Sequence, residues 1–256
     1  MTLEDLWRDL RRTTRARIGL GRAGDGLPTR ELLAFQMAHA EARDAVHGRV
    51  DFDAVAAALP DHEMIRLASA APDRATHLRR PDLGRRLAEG EAERLPPGPY
   101  DVVFVIAEGL SAAAVEAHAA ATVAATVERL GDLSIGPIVL ATQGRVALGD
   151  EIGAAMGARL VVVVLGERPG LTAADSLGIY LTFAPRMGRV DSERNCISNV
   201  HGDGTTPGMA AFKLAWLVRE SLARGLSGID LKEDAPEARL ERAEAPVPIG
   251  RGTGER

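Results

Sequence analysis

Cysteine is almost missing from this 256-residue chain, where Cys196 stands alone. A single cysteine excludes an intrachain disulfide and any zinc site built from several thiolates. It suits a reducing interior, so the cytoplasm is the expected location. Long apolar runs are missing as well. No stretch approaches the roughly 20 apolar residues of a membrane span, and residues 1–24 lack the apolar centre of an export signal. Nor is there an excess of basic residues: the formal net charge of -5 leaves no global positive field of the kind that neutralises nucleic-acid phosphates. Small molecules and proteins are therefore the expected ligands, with neither nucleic acid nor membrane among them.

Several chemical signatures are absent too. The chain has no Walker loop and no GxGxxG between a strand and a helix, the nearest glycine cluster, Gly19-Leu20-Gly21, lying in the N-terminal arm instead. It has no GxSxG elbow and no HExxH. Its histidines (His39, His47, His62, His77, His118 and His201) are scattered over separate elements, so no metal-ligand set is expected. What the chain does have is 46% hydrophobic residues against 26% charged, enough to bury a substantial core.

Residues 1–98 read as a helical arm. Arg8, Arg11, Arg12, Arg15 and Arg17, interrupted by Glu4, Asp5 and Asp9, describe a solvated helix face. Residues 19–28 form a turn-rich loop. Thr29 is placed to cap a helix whose apolar stripe is Leu33, Met37 and Ala40 and which stops at Gly48. A second helix is expected over residues 52–69. The cluster Leu95-Pro96-Pro97-Gly98-Pro99 cannot continue a helix, because proline lacks the amide hydrogen and fixes φ, and a domain boundary is placed there.

Residues 99–256 change character. The runs 101–107 (DVVFVIA), 135–141 and 159–165 (RLVVVVL) are strands covered on both faces, with a fourth expected over 179–183. Helices are expected over 111–130, 150–156 and 207–223, with a loosely ordered tail after Asp230. The alternation defines an α/β class with an open parallel sheet, Rossmann-like or flavodoxin-like. Such sheets bind ligands beyond the carboxyl ends of their strands. The loops there are residues 108–111, 144–146 and 166–170 and the long segment 185–207. Each carries glycine beside polar groups.

In the last of these, Cys196-Ile197-Ser198-Asn199-Val200-His201 followed by Gly204-Thr205-Thr206-Pro207 resembles the signature of the ethanolamine ammonia-lyase small (light) subunit family. Other strings resemble the same family in the same order: Arg11-Arg12-Thr13-Thr14, Gly21-Arg22-Ala23-Gly24, Arg80-Pro81-Asp82-Leu83-Gly84-Arg85-Arg86-Leu87, and Gly166-Glu167-Arg168-Pro169-Gly170-Leu171 with Ser176-Leu177. The likeness spans about residues 6 to 230. It implies the small subunit of an adenosylcobalamin-dependent lyase that converts ethanolamine to acetaldehyde and ammonia. A large barrel subunit holds the substrate and the upper face of the cofactor. Six pairs of the two chains form the usual hetero-oligomer, and the arm (1–98) contacts the large subunit.

The resemblance implies three cofactor-binding residues: Val146 in GRV offering backbone and methyl surface, Glu167 in GERPG accepting from a corrin amide, and Cys196 in CISN as a small polarizable contact. Taken alone they read as core, as a solvated charge or turn cap, and as a small buried hydrophobe. No catalytic residue is expected on this chain. No DxHxxG loop is present to replace the cofactor's own base, so the base-on form is implied. The long N-terminal extension of some members is lacking, which weakens the expectation of packaging into a bacterial microcompartment. The rival reading from the fold alone is a non-catalytic small-molecule sensor or nucleotide-binding module. An independent enzyme using Glu108 or Glu167 as base ranks last, for want of a nucleophile or metal beside them.

Overall fold

The valine-rich runs cannot be satisfied at a surface, and the computed structural model, which describes residues 3–14 and 16–235, places them at the centre of a six-stranded sheet. In chain order the elements are α1 (Leu3–Thr13), α2 (Thr29–His47), α3 (Phe52–Ala57), β1 (Met64–Ala68), α4 (Arg74–Arg79) and β2 (Val102–Gly109). Next come α5 (Ala112–Ala114), continued through a π-helical turn (Val115–Ala119) into α6 (Ala120–Arg129), then β3 (Ile138–Thr142), α7 (Leu148–Ala155) and β4 (Leu160–Gly166). The chain ends with β5 (Leu177–Phe183), β6 (Arg194–Val200) and α8 (Pro207–Arg224).

Strand order is β1-β3-β2-β4-β5-β6. The first four strands run parallel, β5 is antiparallel to β4, and β6 is antiparallel to β5. β2 and β4 are buried along their whole length, which is why their sequences are apolar on both faces rather than alternating. On one face Phe104, Ile106, Val162, Val164, Ile179 and Leu181 join the helices around α6 and α8. On the other, Val103, Val105, Val139, Val161 and Val163 meet Leu148, Ile152 and Met156 of α7. α8 starts at the Thr206 hydroxyl, which accepts from the Met209 amide, and stops at Gly225 in the left-handed conformation.

The α/β class agrees with the sequence reading, and several local expectations do not. β1 occupies part of the expected second helix, which ends at Ala57. Edge strand β1 is only half-buried, so the sequence MIRLA carries little strand signal. Residues on both sides of the proline cluster thus enter one sheet. β6 lies inside the segment expected to be irregular; only Arg194, Ile197 and Val200 are buried, its pairing with β5 carries a register shift, and it forms the sheet edge. Thr29 is the first residue of α2 and does not cap it. The stripe Leu33, Met37 and Ala40 faces outward, with Leu33 58% and Met37 61% exposed, while Ala38, Ala42 and Ala45 pack inward. The expected loose tail begins too early: Leu231 is buried and its carbonyl accepts from Asn195 Nδ2 at 2.6 Å, and Glu233 pairs with Lys213. The rest of that tail, from residue 236, lies outside the described residues.

The strand ends meet at two glycines. Gly109 takes φ +58°, and a side chain there would overlap the Gly166 carbonyl; one at Gly166 would overlap the Ser111 carbonyl. This backbone contact is fixed by the Leu110 amide donating to the Gly166 carbonyl at 2.8 Å. Gly166→Ala should therefore force the loops after β2 and β4 apart, costing about 3 kcal/mol of stability. Urea unfolding checks this, and an unshifted midpoint would show that the contact gives way freely.

Candidate functional site

Residues of all four loops, those of the 185–207 segment being the ones that lead into β6, surround one open cleft of about 710 Å³. Its walls include Leu110 after β2, Arg145, Val146 and Ala147 before α7, Leu165 to Arg168 at the end of β4, and Tyr180 in the middle of β5. Arg189, Val190, Asp191 and Arg194 close the lower end, and Pro81 and Arg85 stand at the side. The register explains the floor: Val163 pairs with Tyr180 and Tyr180 with Cys196, so these three side chains share one sheet face. α7 covers part of that face, and beyond it Tyr180 looks into the cleft.

Two of the three residues singled out from the sequence line the cleft. Val146 is half-buried against the α7 side of the core. The Glu167 carboxylate accepts from the Ser176 hydroxyl at 2.6 Å and from the Asn199 amide at 3.3 Å. Both bonds fall on Oε2, which leaves Oε1 as an acceptor. The third, Cys196, sits one strand further on, touching the cleft only through Tyr180, its partner across β5 and β6. Its side chain is exposed, yet the protein mass around it removes enough water to push the thiol pKa up. Glu167 adds to the rise and the Tyr180 hydroxyl opposes it. The thiol is thus kept protonated and poorly nucleophilic. Tyr180 is raised as well, by burial first and then by Cys196 and Glu167.

Glu108 has no freedom to act as a base. It is buried, Oε2 accepts from the Gln143 amide at 2.8 Å and Oε1 from the Val50 amide at 3.4 Å. His201 is also satisfied internally, by Asn199 Oδ1 at 2.9 Å and by the Asp203 amide at 3.2 Å. Among the described residues no three His, Cys, Asp or Glu side chains are placed to hold a metal, and no helix is long and apolar enough to cross a membrane.

Sequence reasoning passed over Tyr180, the cleft arginines and the buried pair beneath them. Arg194 is fully enclosed and meets Asp150 of α7 in two bonds of 2.7 Å, with Thr182 Oγ1 accepting at 2.9 Å. The position of Arg145 beside Val146 in GRV, and of Arg168 beside Glu167, was visible; what they face was not. Tyr180 required the strand register.

An open α/β sheet with a polar-rimmed, apolar-floored cleft at its strand ends is the arrangement on which proteins of this class bind small molecules. The model of the ethanolamine ammonia-lyase light chain (EutC) matches residues 4–232. The ethanolamine ammonia-lyase small subunit of Azotobacter vinelandii is 52% identical over 254 residues, spanning 94% of this chain and 93% of that protein. The one from Bradyrhizobium diazoefficiens is 49% identical over 251 residues, spanning 94% and 95%. This chain belongs to the ethanolamine ammonia-lyase small-subunit family.

A buried histidine behind Arg145 also sets a pH response. His77 of α4 is wholly buried; Nε2 lies 3.1 Å from the Gly109 carbonyl, and burial, with Arg145 and Arg74 nearby, pushes its pKa from 6.5 down to about 4. As pH falls from about 6.5 to about 4, only the unfolded chain takes up this proton, so stability is lost in that window, on the order of 3 kcal/mol. Unfolding midpoints at pH 7 and pH 4.5 should show the loss, and His77→Gln should lessen its slope. Equal slopes would mean that His77 is protonated in the fold.

Proposed function

We propose that this chain is the cobalamin-holding small subunit of an adenosylcobalamin-dependent ethanolamine ammonia-lyase that turns ethanolamine into acetaldehyde and ammonia. The observation that carries the reading is the convergence of Val146 and Glu167 on one cleft whose floor, Tyr180, borders Cys196. The donor set suits a corrin. Val146, Leu165 and Tyr180 offer apolar surface to the ring, and Glu167 Oε1 accepts from a peripheral amide. Cys196 gives a soft contact at the margin. The cofactor, held base-on, supplies the radical chemistry when bound. The cleft is open, and a corrin with its side chains and tail exceeds it, so a second protein wall must complete the enclosure.

That wall is the large subunit. The helical part of residues 1–98 is the arm that contacts it, while β1, Pro81 and Arg85 of that segment join residues 99–256 on the cofactor side. The outward stripe of α2, Leu32, Leu33, Phe35 and Met37, is apolar surface that a lone soluble chain has no reason to expose. Arg17 Nη2 donates to the Leu171 carbonyl at 3.1 Å and so draws the arm against the loop that follows Glu167. Substrate contacts lie on the partner, and six copies of each chain form the assembly. The chain works in the cytoplasm, free or within a microcompartment. No observation favours a sensor.

Ammonia release from ethanolamine and adenosylcobalamin, with oxygen excluded, should require this chain and the large subunit together. Neither alone should be active, and a confirmed complex with no activity and no retained cobalamin would overturn the assignment. Within the active complex, Glu167→Ala should weaken cofactor binding about 10-fold, the effect of one charged acceptor. Equilibrium dialysis reads it, and unchanged retention would remove Glu167 from the site.

A further inference from the structure

Five arginines and two carboxylates line the cleft, in a chain whose net charge is negative. Two of the arginines are neutralised by groups outside it, Arg194 by Asp150 and Arg189 by Glu193. Arg85, Arg145 and Arg168 make no ion pair among the described residues. Neither carboxylate of the cleft pairs with these three: Glu167 Oε2 accepts from Ser176 and Asn199, and Asp191 lies 3.6 Å from Arg194 Nε. Arg145 is set in place before any ligand arrives. Its amide donates to the Gly84 carbonyl at 2.7 Å, its Nη2 to the His77 carbonyl at 3.3 Å, and its Nε is buried without a partner. Burial, and then Arg74, Arg85 and Arg168, make its charge costly and lower its pKa. Three cations whose fields add, one of them half-buried with an unused donor, leave a charge deficit that an anion would fill.

We propose that Arg85, Arg145 and Arg168 form an anion subsite within the cleft, and that its occupant is the phosphodiester of the cofactor's nucleotide tail. This rests on the cofactor reading above. The peripheral groups of the corrin are neutral amides, so the phosphodiester is the anionic group the ligand brings. A guanidinium fork presents paired N–H groups at the spacing of two phosphate oxygens. Anchoring the tail here fixes how far the ring can slide over Val146 and toward Glu167, which turns a shallow cleft into an oriented one. Arg145 and Arg168 each sit beside one of the proposed ring contacts in the sequence, so the same two loops carry both halves of the recognition.

The test uses the full chain in complex with its large subunit, and equilibrium dialysis of cyanocobalamin, cobinamide phosphate, cobinamide and inorganic phosphate. Arg145→Gln and Arg168→Gln should each weaken the first two by about 10- to 100-fold and leave cobinamide unchanged. Arg168 is exposed, so its variant should keep the melting temperature of the parent even if Arg145→Gln does not. Added salt should weaken cobinamide phosphate more than cobinamide in the parent. An equal loss for cobinamide, or no loss for any probe, overturns the subsite. If the parent binds no corrinoid, the cofactor reading fails and the phosphodiester assignment with it. Inorganic phosphate held by the parent and released by Arg168→Gln would then mark a free-phosphate site in its place.

Discussion

One buried guanidinium holds the working end of this protein together. Arg74, at the start of α4, donates to the Val46 carbonyl at 2.7 Å, the Gly109 carbonyl at 2.8 Å and the Leu110 carbonyl at 3.0 Å. It thereby joins the end of α2 to the loop after β2. Glu108 balances its charge while bonding the amides of Gln143 and Val50, so the loop after β3 is tied into the same knot. Gln143 accepts there a positive φ of 53°, and Ser69, just past β1, donates to its carbonyl at 2.8 Å. A buried charge persists only where its donors are satisfied, which ties the geometry of these segments to one another.

The cleft follows from that knot. With the loops after β2, β3 and β4 pinned at the same end of a parallel sheet, their residues must face a common space. The antiparallel pair β5 and β6 then widens the sheet past α7, and Tyr180 floors the extension. Asp150 and Arg194 bind α7 to β6 across the lower end through a buried, doubly bonded ion pair. The π-helical turn at Val115–Ala119 lies on the same side of the chain as the 170s loop, where His118 Nε2 meets Asp175 Oδ2 at 3.1 Å. Such an open cleft leaves one side to be covered, the role proposed above for the large subunit.

Much of this was legible in the residues. The two valine-rich strands and the helix over 207–223 are local signals, since a strand buried on both faces must be apolar throughout and an amphipathic helix shows its period in one window. The loops 144–146 and 166–170 were identified from glycine and polar residues beyond strand ends. β1 and β6 escaped because edge strands bury one face incompletely and tolerate charge and polarity. The stripe Leu33, Met37 and Ala40 had the right helical period but the wrong direction, for periodicity reports that a face is apolar and says nothing about whether this chain or another covers it.

The sequence by itself determined the α/β class and the family, and through the family resemblance it pointed to Val146, Glu167 and Cys196. These rest on local pattern and on motifs read in order. Tertiary structure alone decided that Val146 and Glu167 share a wall while Cys196 stands behind Tyr180, that Glu108 is a brace rather than a base, and that three arginines converge unpaired. Each of those facts depends on strand register, on crossovers between distant segments and on which charges are satisfied elsewhere. Such quantities are set by packing in three dimensions, and no single window of the chain contains them.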